Sequence, residues 1–312
     1  MTVRAIIVGV TGQDGQLLWD QLAHKNYVLA GLSSTTLRTT NCASRQPIDI
    51  TNASDVRTLV EEFSPDEIYF LAAYHHSAQD STGDSPFLLE KSYQLHTLAF
   101  SNFLVAVRDV APGARVFYAS SSRIFGTGSS NPQTEKSLIA PDCVYGLTKA
   151  AGMSLAEYSR RHWGVYVSCG ILYNHESPLR AERFVSKKIV TGLARIKQGL
   201  SSSLEIGSLD ASVDWGYAPD YTRAMQLMLR CSSAKDFVVA SGTLHSVRDM
   251  IEIAAGYLNI PWEKYVVEAS DLLKRKSQGL CGDSSLLKQE TGWRASVGFE
   301  AMIKLLVDAA MA

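Results

Sequence analysis

The chain has 312 residues, 46% of them hydrophobic, which is enough to bury a full core in one large domain or two closely joined ones. Its 30 basic residues nearly balance its 31 acidic ones, and this balance argues against a nucleic-acid or membrane partner. The five cysteines are odd in number and show no CxxC spacing, which argues against a disulfide framework and a metal site. We therefore expect a cytoplasmic protein with a small-molecule ligand and no bound metal.

Strands alternate with helices along the first half of the chain. Residues 5–8 form an apolar, mostly β-branched run that stops at a glycine, which is typical of a strand buried in a parallel sheet. A helix over 16–25 and a strand over 27–32 complete a βαβ unit. This alternation predicts an α/β fold of the Rossmann type, with a doubly wound parallel sheet. The further predicted elements are a helix over 53–63, a strand over 67–71, a helix over 90–108, a strand over 115–119, a helix over 146–162 and a strand over 165–172.

The pattern becomes irregular from residue 175, where short strands and helices are interspersed. We expect residues 1–174 to form the dinucleotide-binding Rossmann domain and residues 175–312 to form mainly a smaller, mixed α/β substrate-binding lobe. Because no Gly/Ser-rich linker separates the two parts, they should pack intimately, and the later part should return strands to the large sheet.

A glycine-rich segment lies between the first predicted strand and the first helix. In this position, glycines let the backbone approach a pyrophosphate, and the helix N-terminus faces its charge. A tight strand-to-helix turn is the alternative explanation. The cofactor contacts predicted here are Gly9, Thr11, Gly12, Gln13, Asp14 and Gly15.

The end of the second strand bears on the choice of cofactor. An acidic residue at this point would bind the ribose hydroxyl of NAD, but the strand is followed by Ser33, with Arg38 further on. A hydroxyl and a guanidinium suit the 2′-phosphate of NADP better than a carboxylate would. We therefore predict NADP, with NAD as the alternative.

Tyr145 and Lys149 form a YxxxK motif, whose spacing places both side chains on one face of a helix. A nearby ammonium favours the phenolate and should bring the tyrosine pKa down from about 10. Such a phenol can exchange a proton with a sugar hydroxyl or carbonyl, whereas an exposed helical pair is the alternative. A strand that ends in hydroxyls precedes the motif and adds Ser121 as a third candidate catalytic residue.

Several motifs resemble a known family. The T-G-Q-D-G run of the glycine-rich segment resembles the extended short-chain dehydrogenase/reductases. N-H-E-S-P at 174–178, F-V-S-K-K-I at 184–189 and D-W-G-Y at 214–217 resemble the GDP-mannose 4,6-dehydratases of that family. H-S-V-R at 245–248 extends the similarity over nearly the whole chain.

This resemblance implies a GDP-linked nucleotide-sugar substrate, hydride transfer at sugar C4, and a homodimer or homotetramer. The apolar helical faces over 90–108 and 146–162 are the candidate interface, and the alternative is that these faces pack on the sheet. Ser121 would hydrogen-bond the substrate oxygen that Tyr145 also contacts. Further cofactor contacts are implied at Asp49, Ile50, Leu71, Ala72, Ala73, Leu172, Asn174 and His175, in addition to Tyr145 and Lys149. Substrate contacts are implied at Ser122, Arg123, Asn174, Glu176, Val185, Lys188 and Trp215.

Some of these residues have equally simple structural explanations. Asp49, viewed as an isolated carboxylate, is suited to cap the helix that begins near Thr51. His175 and Glu176, viewed alone, would serve as local loop caps.

Arg123 departs from the family pattern at a chemically decisive position. A 4,6-dehydratase removes a proton from C5 with a glutamate that occupies this position in the family, whereas a guanidinium stays protonated and offers only donors. Four other residues replace polar or charged residues of the family pattern around the same pocket. These are Phe70, Tyr74, Leu179 and Val213.

Three interpretations follow for the activity. The enzyme is a dehydratase with a displaced base, for which His76, Glu135 and Glu176 are the candidates. Alternatively, it is a reductase or epimerase that exchanges only a hydride and a proton at C4, or a catalytically silent relative that binds a nucleotide-sugar. Arg123 would then bind a negatively charged substituent of the sugar, or form a salt bridge at the surface.

Overall fold

The computed structural model describes residues 2–40, 47–74, 85–269 and 279–312. The strands in these ranges are β1 Val3–Val8, β2 Tyr27–Leu32, β3 Leu37–Thr39, β4 Glu67–Phe70, β5 Arg115–Ser121, β6 Tyr166–Leu172, β7 Asn174–Glu176, β8 Leu204–Ile206, β9 Ser212–Tyr217, β10 Phe237–Val239, β11 Leu244–Ser246 and β12 Val266–Glu268. The helices are α1 Gln13–Ala23, α2 Ala53–Phe63, α3 Pro86–Tyr93, α4 Ala99–Val110, α5 Val144–Trp163, α6 Val185–Lys197, α7 Ala218–Met228, α8 Val247–Leu258, α9 Ser285–Thr291 and α10 Phe299–Met311. None of the helices in these ranges is long and apolar enough to cross a membrane.

The large sheet has the strand order β10-β6-β5-β4-β1-β2-β3. Every neighbouring pair is parallel except β2 with β3. Successive side chains of a strand point to opposite faces, so Ile6 packs with residues of α2 and α4, whereas Ile7 packs with residues of α1 and α7. Both isoleucines are fully buried. Helices therefore cover both faces of the sheet, which confirms the predicted Rossmann-type fold.

The edge of the sheet differs from the expectation. The alternation of strands and helices predicts a parallel sheet, but its edge strand β3 runs antiparallel to β2. A tight turn explains the reversal, because the Ser33 N–H donates to the Thr36 carbonyl at 2.9 Å and the chain turns back directly after β2.

The part of the chain after residue 174 builds two small sheets, with the orders β11-β9-β7 and β12-β8. Helices α6, α8 and α10 pack with them around a separate core that includes Ile189, Met250 and Ile303. The same part of the chain also returns to the large sheet, because β10 pairs in parallel with β6 and α7 packs against α1. The smaller lobe after β6 and the large sheet are thus built from interleaved segments.

Candidate active site

The glycine-rich segment makes a close turn between β1 and α1. Gly9 has a φ of +96°, in the region that favours glycine, and a Cβ at this position would lie 2.9 Å from the Ala72 nitrogen. A Cβ at Gly15 would collide with the Gly9 carbonyl oxygen. Gly12 is the N-cap of α1 and has no side chain to accept from the N–H groups of the first helical turn. The segment therefore offers bare backbone donors to an anion, with Thr11 exposed beside them.

The side chains of Gln13 and Asp14 contact the lobe. The Gln13 amide donates to the His175 carbonyl at 3.0 Å and accepts from the Ser177 hydroxyl at 2.8 Å. The His175 Nε2 atom lies 2.9 Å from an Asp14 carboxylate oxygen. These contacts join the start of α1 to β7, so both residues would face a cofactor through their backbone.

His175 and Asp14 lie within hydrogen-bond distance of each other and shift each other's titration. The His175 Nδ1 atom lies 2.6 Å from the Tyr173 carbonyl, so both ring nitrogens face acceptors. Burial works against the charged ring, but the Asp14 carboxylate outweighs it and raises the pKa of His175. Burial alone would raise the pKa of Asp14, but the attraction of His175 has the larger effect, so the pKa of Asp14 is lowered.

Ser33 and Arg38 lie at the carboxyl end of β2 and on the neighbouring β3. The Ser33 hydroxyl accepts from the backbone of Thr36 at 3.1 Å and contacts its hydroxyl at 2.9 Å. The exposed Arg38 guanidinium lies over the ring of Trp19, 4.3 Å from its centroid. The structure thus places a cation and a hydroxyl cluster at this end of the sheet.

Asp49 and Ile50 lie before α2. The Asp49 carboxylate accepts from the hydroxyl and the backbone N–H of Thr51, which lowers the pKa of Asp49. Asn52, rather than Asp49, is the N-cap of α2, so the helix-cap explanation of Asp49 is wrong and it instead holds a local turn. The Ile50 carbonyl accepts from the Asn102 amide at 3.0 Å.

The segment after β4 lies against the glycine turn. The Leu71 N–H donates to the Val8 carbonyl at 2.9 Å, and the Ala72 backbone faces Gly9. Ala73 follows, exposed, at the end of this segment.

Ser121, Tyr145 and Lys149 are brought together by β5 and the start of α5. Ser121 ends β5, and its side chain lies near enough to Tyr145 to oppose in part the rise in the pKa of that phenol that burial causes. The Cys143 thiol caps α5 by accepting from the Gly146 N–H. Lys149, one helical turn after Tyr145, is buried, and its Nζ atom donates to the Ala119 carbonyl at 2.8 Å.

Burial controls the titration of this pair. It raises the pKa of Tyr145 to about 12, against the partial opposing effect of the Arg180 charge. It lowers the pKa of Lys149 to about 7. The tyrosine pKa therefore moves opposite to the direction expected from the YxxxK motif, because desolvation outweighs the attraction of nearby cations. At neutral pH the phenol keeps its proton, and the ammonium titrates.

Arg123 is held by an ion pair. Its guanidinium lies 2.9 Å from the Asp142 carboxylate, with side-chain exposures of 27% and 32%. Asp142 also accepts from the Thr127 N–H at 3.0 Å. The salt-bridge interpretation of Arg123 is therefore met in the structure, and neighbouring Ser122 is buried.

Glu135 and Glu176, two of the proposed displaced bases, are engaged elsewhere, and His76, the third, lies outside the described residues. Glu135 accepts from the Val238 N–H at 2.7 Å, at the edge of the large sheet. Glu176 is buried, accepts from the Ser186 hydroxyl at 2.6 Å and lies 3.1 Å from the Arg180 guanidinium. These contacts engage one oxygen of each carboxylate, Oε1 of Glu135 and Oε2 of Glu176.

The remaining predicted contacts lie on the lobe side. Trp215 is buried and stacks on Phe299, with ring centroids 5.7 Å apart. Leu172 ends β6, Asn174 is exposed on β7, and Val185 and Lys188 lie in the first turns of α6. Among the departures from the family pattern, Phe70 is a buried core residue that packs against Phe100, Tyr74 and Leu179 are exposed, and Val213 packs against the lobe core.

Three residues near the site were not singled out from the sequence for the roles their positions suggest. Arg180 lies over the ring of Phe184, 3.6 Å from its centroid, and acts electrostatically on Tyr145. Asp142 pairs with Arg123, and His96 packs edge-on against Tyr145. The helical i, i+4 rule would not have indicated the pairing of Glu176 with Arg180, because Glu176 ends β7 and Arg180 lies in the turn that follows it.

Comparisons with known proteins agree with this architecture. The family model for GDP-mannose 4,6 dehydratase matches residues 6–306. GDP-mannose 4,6 dehydratase 2 of Arabidopsis thaliana is 34% identical, over 97% of this chain and 86% of the relative, and GDP-mannose 4,6-dehydratase of Vibrio cholerae is 31% identical, over 98% and 93%. The structure of RMD from Pseudomonas aeruginosa complexed with NADPH superposes with a TM-score of 0.84 at 23% identity, covering 99% of both chains.

The fold and these relatives define an NAD(P)-dependent enzyme that modifies nucleotide-sugars. More particularly, the chain belongs to the GDP-mannose 4,6-dehydratase family. The predicted family, fold class and enzyme class are thereby confirmed.

Proposed function

We propose that the protein is an NADPH-dependent reductase that acts on the C4 ketone of a GDP-linked keto-sugar. The observation that carries this proposal is the Arg123–Asp142 pair at 2.9 Å, because it places a guanidinium where dehydration requires a carboxylate base. Reduction of a ketone needs a hydride and a proton but no base at C5.

The glycine turn fits a dinucleotide. Gly9 and Gly15 let the turn pack closely against the Ala72 backbone and the start of α1, and Gly12 leaves the first N–H groups of α1 without a side-chain cap, so a pyrophosphate would meet bare N–H groups. The Ser33 hydroxyl and the Arg38 guanidinium would hold the 2′-phosphate of NADP. When bound there, the cofactor supplies the hydride. Cofactor contacts are proposed also for Asp49, Ile50, Leu71, Ala72, Ala73, Leu172, Asn174 and His175.

Tyr145 supplies the proton in this proposal. Its phenol is protonated at neutral pH and lies near the Ser121 side chain, so it can donate its proton to a ketone oxygen while Ser121 would hydrogen-bond the same oxygen. The phenolate that results is stabilised by the Lys149 ammonium, which lies 5.8 Å from the centroid of the tyrosine ring. The net change at the substrate is the conversion of a ketone to a carbinol.

The lobe would hold the GDP end of the substrate. Lys188 and the first turn of α6 at Val185 offer positive charge and N–H donors to a diphosphate. The other proposed substrate contacts are Ser122, Arg123, Asn174, Glu176 and Trp215.

Product masses test this proposal. The protein is incubated with NADPH and a GDP-4-keto-6-deoxy-hexose, and in parallel with NADP and GDP-mannose. We expect the keto-sugar to gain two hydrogens as NADPH is oxidised, and GDP-mannose to stay intact. Loss of water from GDP-mannose would instead identify a dehydratase. Interconversion of C4 epimers without net cofactor turnover would identify an epimerase. Binding without hydride exchange would identify a catalytically silent relative.

We infer a homodimer or homotetramer that uses the α4 and α5 faces. Leu98, which directly precedes α4, is 57% exposed, and Tyr158 on α5 is 49% exposed. Light scattering of the purified protein checks the mass of the assembly, and a monomer at micromolar concentration would contradict this inference.

We also infer residence in the cytoplasm. The four cysteines in the described ranges, Cys143, Cys169, Cys231 and Cys281, are free thiols. Free thiols fit a reducing compartment. Fractionation of cells that express the tagged protein tests this location.

A further inference from the structure

A π-turn interrupts the long helix beneath α5. Helices α3 and α4 are joined by the five-residue π-turn Gln94–Leu98, in which the Ala99 N–H donates to the Gln94 carbonyl. Such turns insert one extra residue into a helix and occur often at functional sites. His96 lies in this turn and is fully buried.

The His96 side chain connects two parts of the site. Its Nε2 atom accepts from the Tyr74 N–H at 2.8 Å, and its Nδ1 atom lies 2.8 Å from the Thr148 hydroxyl. That hydroxyl donates to the Val144 carbonyl at 3.0 Å. Because Nε2 accepts, the proton of a neutral ring is on Nδ1 and is donated to Thr148. The chain of bonds therefore runs from the segment after β4 to the first turn of α5.

His96 also touches the surroundings of both catalytic candidates on α5. Its ring meets the Tyr145 ring edge-on, with centroids 5.4 Å apart and planes at 89°. Its carbonyl accepts from the Tyr118 hydroxyl at 3.0 Å, and the Lys149 Nζ atom lies 5.1 Å from the centroid of the Tyr118 ring. One buried residue thus supports the phenol directly and the ammonium through Tyr118.

We propose that His96 is a positioning residue, which holds the Tyr145 ring and the segment 71–74 in a single arrangement through its edge contact and its two hydrogen bonds. The segment matters because the Ala72 backbone faces Gly9, so its displacement would disturb the proposed cofactor turn. The ring matters because small displacements of an acid from the reacting oxygen reduce rates strongly. This inference rests on the proposed function in so far as Tyr145 is the proton donor.

Three substitutions separate positioning from general stability. His96→Phe keeps an aromatic edge but removes both hydrogen bonds. His96→Gln keeps an oxygen near Nε2 that can accept from Tyr74. Thr97→Val is the matched control, because Thr97 lies in the same π-turn and its hydroxyl donates, among the described residues, only to the Thr148 carbonyl, at 3.3 Å.

The kinetic test uses the NADPH-dependent reduction described above. We expect His96→Phe to lower kcat about tenfold or more while KM for the keto-sugar changes by less than about twofold. His96→Gln should recover part of this loss, and Thr97→Val should behave as the wild type. A wild-type kcat in His96→Phe would overturn the proposal, as would equal losses of kcat and melting temperature in His96→Phe and Thr97→Val.

A second readout does not depend on turnover. In protein labelled with ¹³Cζ-tyrosine, the resonance of Tyr145 is assigned by its disappearance in Tyr145→Phe. We expect this resonance to move in His96→Phe and to stay in place in Thr97→Val. If the wild type reduces no keto-sugar, the proposed function fails, and the Tyr145 resonance alone then tests the positioning role of His96. A shift of this resonance in His96→Phe supports that role, and an unchanged resonance overturns it.

Discussion

The Nε2 atom of His175 lies 2.9 Å from the Asp14 carboxylate, with side-chain exposures of only 10% and 19%. This contact joins the first turn of α1 to β7 and so ties the proposed cofactor turn to the substrate lobe. Breaking one partner of a buried pair leaves the other charge without compensation.

Asp14→Asn should therefore destabilise the protein, by about 3 kcal/mol where both groups are charged. The pKa of Asp14 is lowered and the pKa of His175 is raised. The difference in the free energy of unfolding between the wild type and Asp14→Asn should shrink as the pH falls through the lowered pKa of Asp14. It should also shrink as the pH rises through the raised pKa of His175. Urea unfolding across a pH series measures it, with Asp20→Asn on the exposed face of α1 as control. A pH-independent difference would contradict the pairing.

Tyr145→Phe removes the proposed proton donor. Turnover of the keto-sugar should fall by about a thousandfold or more, since general acid catalysis contributes on this scale. Binding of NADPH, followed by its fluorescence, should be nearly unchanged. Tyr158→Phe, an exposed tyrosine of the same helix, serves as control. Undiminished turnover in Tyr145→Phe would remove this residue from the mechanism.

The rate of reduction should depend on the charge of Lys149. Burial lowers the pKa of Lys149 to about 7 and raises that of Tyr145 to about 12, so the phenol stays protonated while the lysine loses its charge. We expect kcat/KM to be highest below about pH 7 and to fall above it, because this quantity reports the free enzyme. Initial rates between about pH 5.5 and 9.5 test the profile. A rate that rises through pH 7 would show that neutral lysine is the active form.

Lys149→Met should stabilise the fold while it abolishes activity. Burying the charged ammonium destabilises the folded protein at pH values below the folded pKa of Lys149, which is about 7. Removing this charge should stabilise the fold by more than the loss of the hydrogen bond to the Ala119 carbonyl destabilises it. The free energy of unfolding should therefore increase by about 2 kcal/mol near pH 6. Between pH 7 and the unfolded lysine pKa of about 10.4, the unfolded wild type binds more protons. Its stability therefore rises, and the advantage of the variant shrinks.

Denaturant unfolding at two pH values measures this advantage. The exposed Lys136→Met provides the control. A variant that is less stable than the wild type at pH 6 would contradict a buried, destabilising charge.

The Arg123–Asp142 pair allows a sharper test of dehydration than one substitution. Arg123→Glu alone would put two carboxylates together, whereas Arg123→Glu with Asp142→Arg reverses the pair and supplies the missing base. We expect GDP-mannose to lose water only with the double variant, detected by product mass. The partly exposed pair itself contributes at most about 1 kcal/mol, so both proteins should fold. Water loss by the wild type would defeat the premise.

Periodicity was sufficient to predict the alternating layers before residue 174. The runs over 5–8 and 27–32 are strands within the large sheet because buried parallel strands have continuous apolar sequences. The reversal of the chain at Ser33 was not predicted, because the turn closed by the Ser33–Thr36 hydrogen bond contains no glycine or proline that would mark it in the sequence. The π-turn at His96 is likewise unmarked in the sequence.

Motif spacing located the proposed catalytic residues but not their electrostatics. The distance of four residues between Tyr145 and Lys149 places them one turn apart on α5. Their pKa values depend on desolvation, which is set by how β5, α5 and the π-turn pack together. The pairing of Arg123 with Asp142 similarly joins residues that only the fold brings together.

The pairing of β10 with β6 limits how this enzyme can move and be divided. The chain leaves the large sheet after β6, begins the lobe at β7, and comes back at Phe237–Val239 before it returns to the lobe in α8 and α10. Repeated crossings of this kind provide no single hinge about which two rigid halves could rotate. A chain cut before β10 would therefore leave one strand edge of β6 open to aggregation.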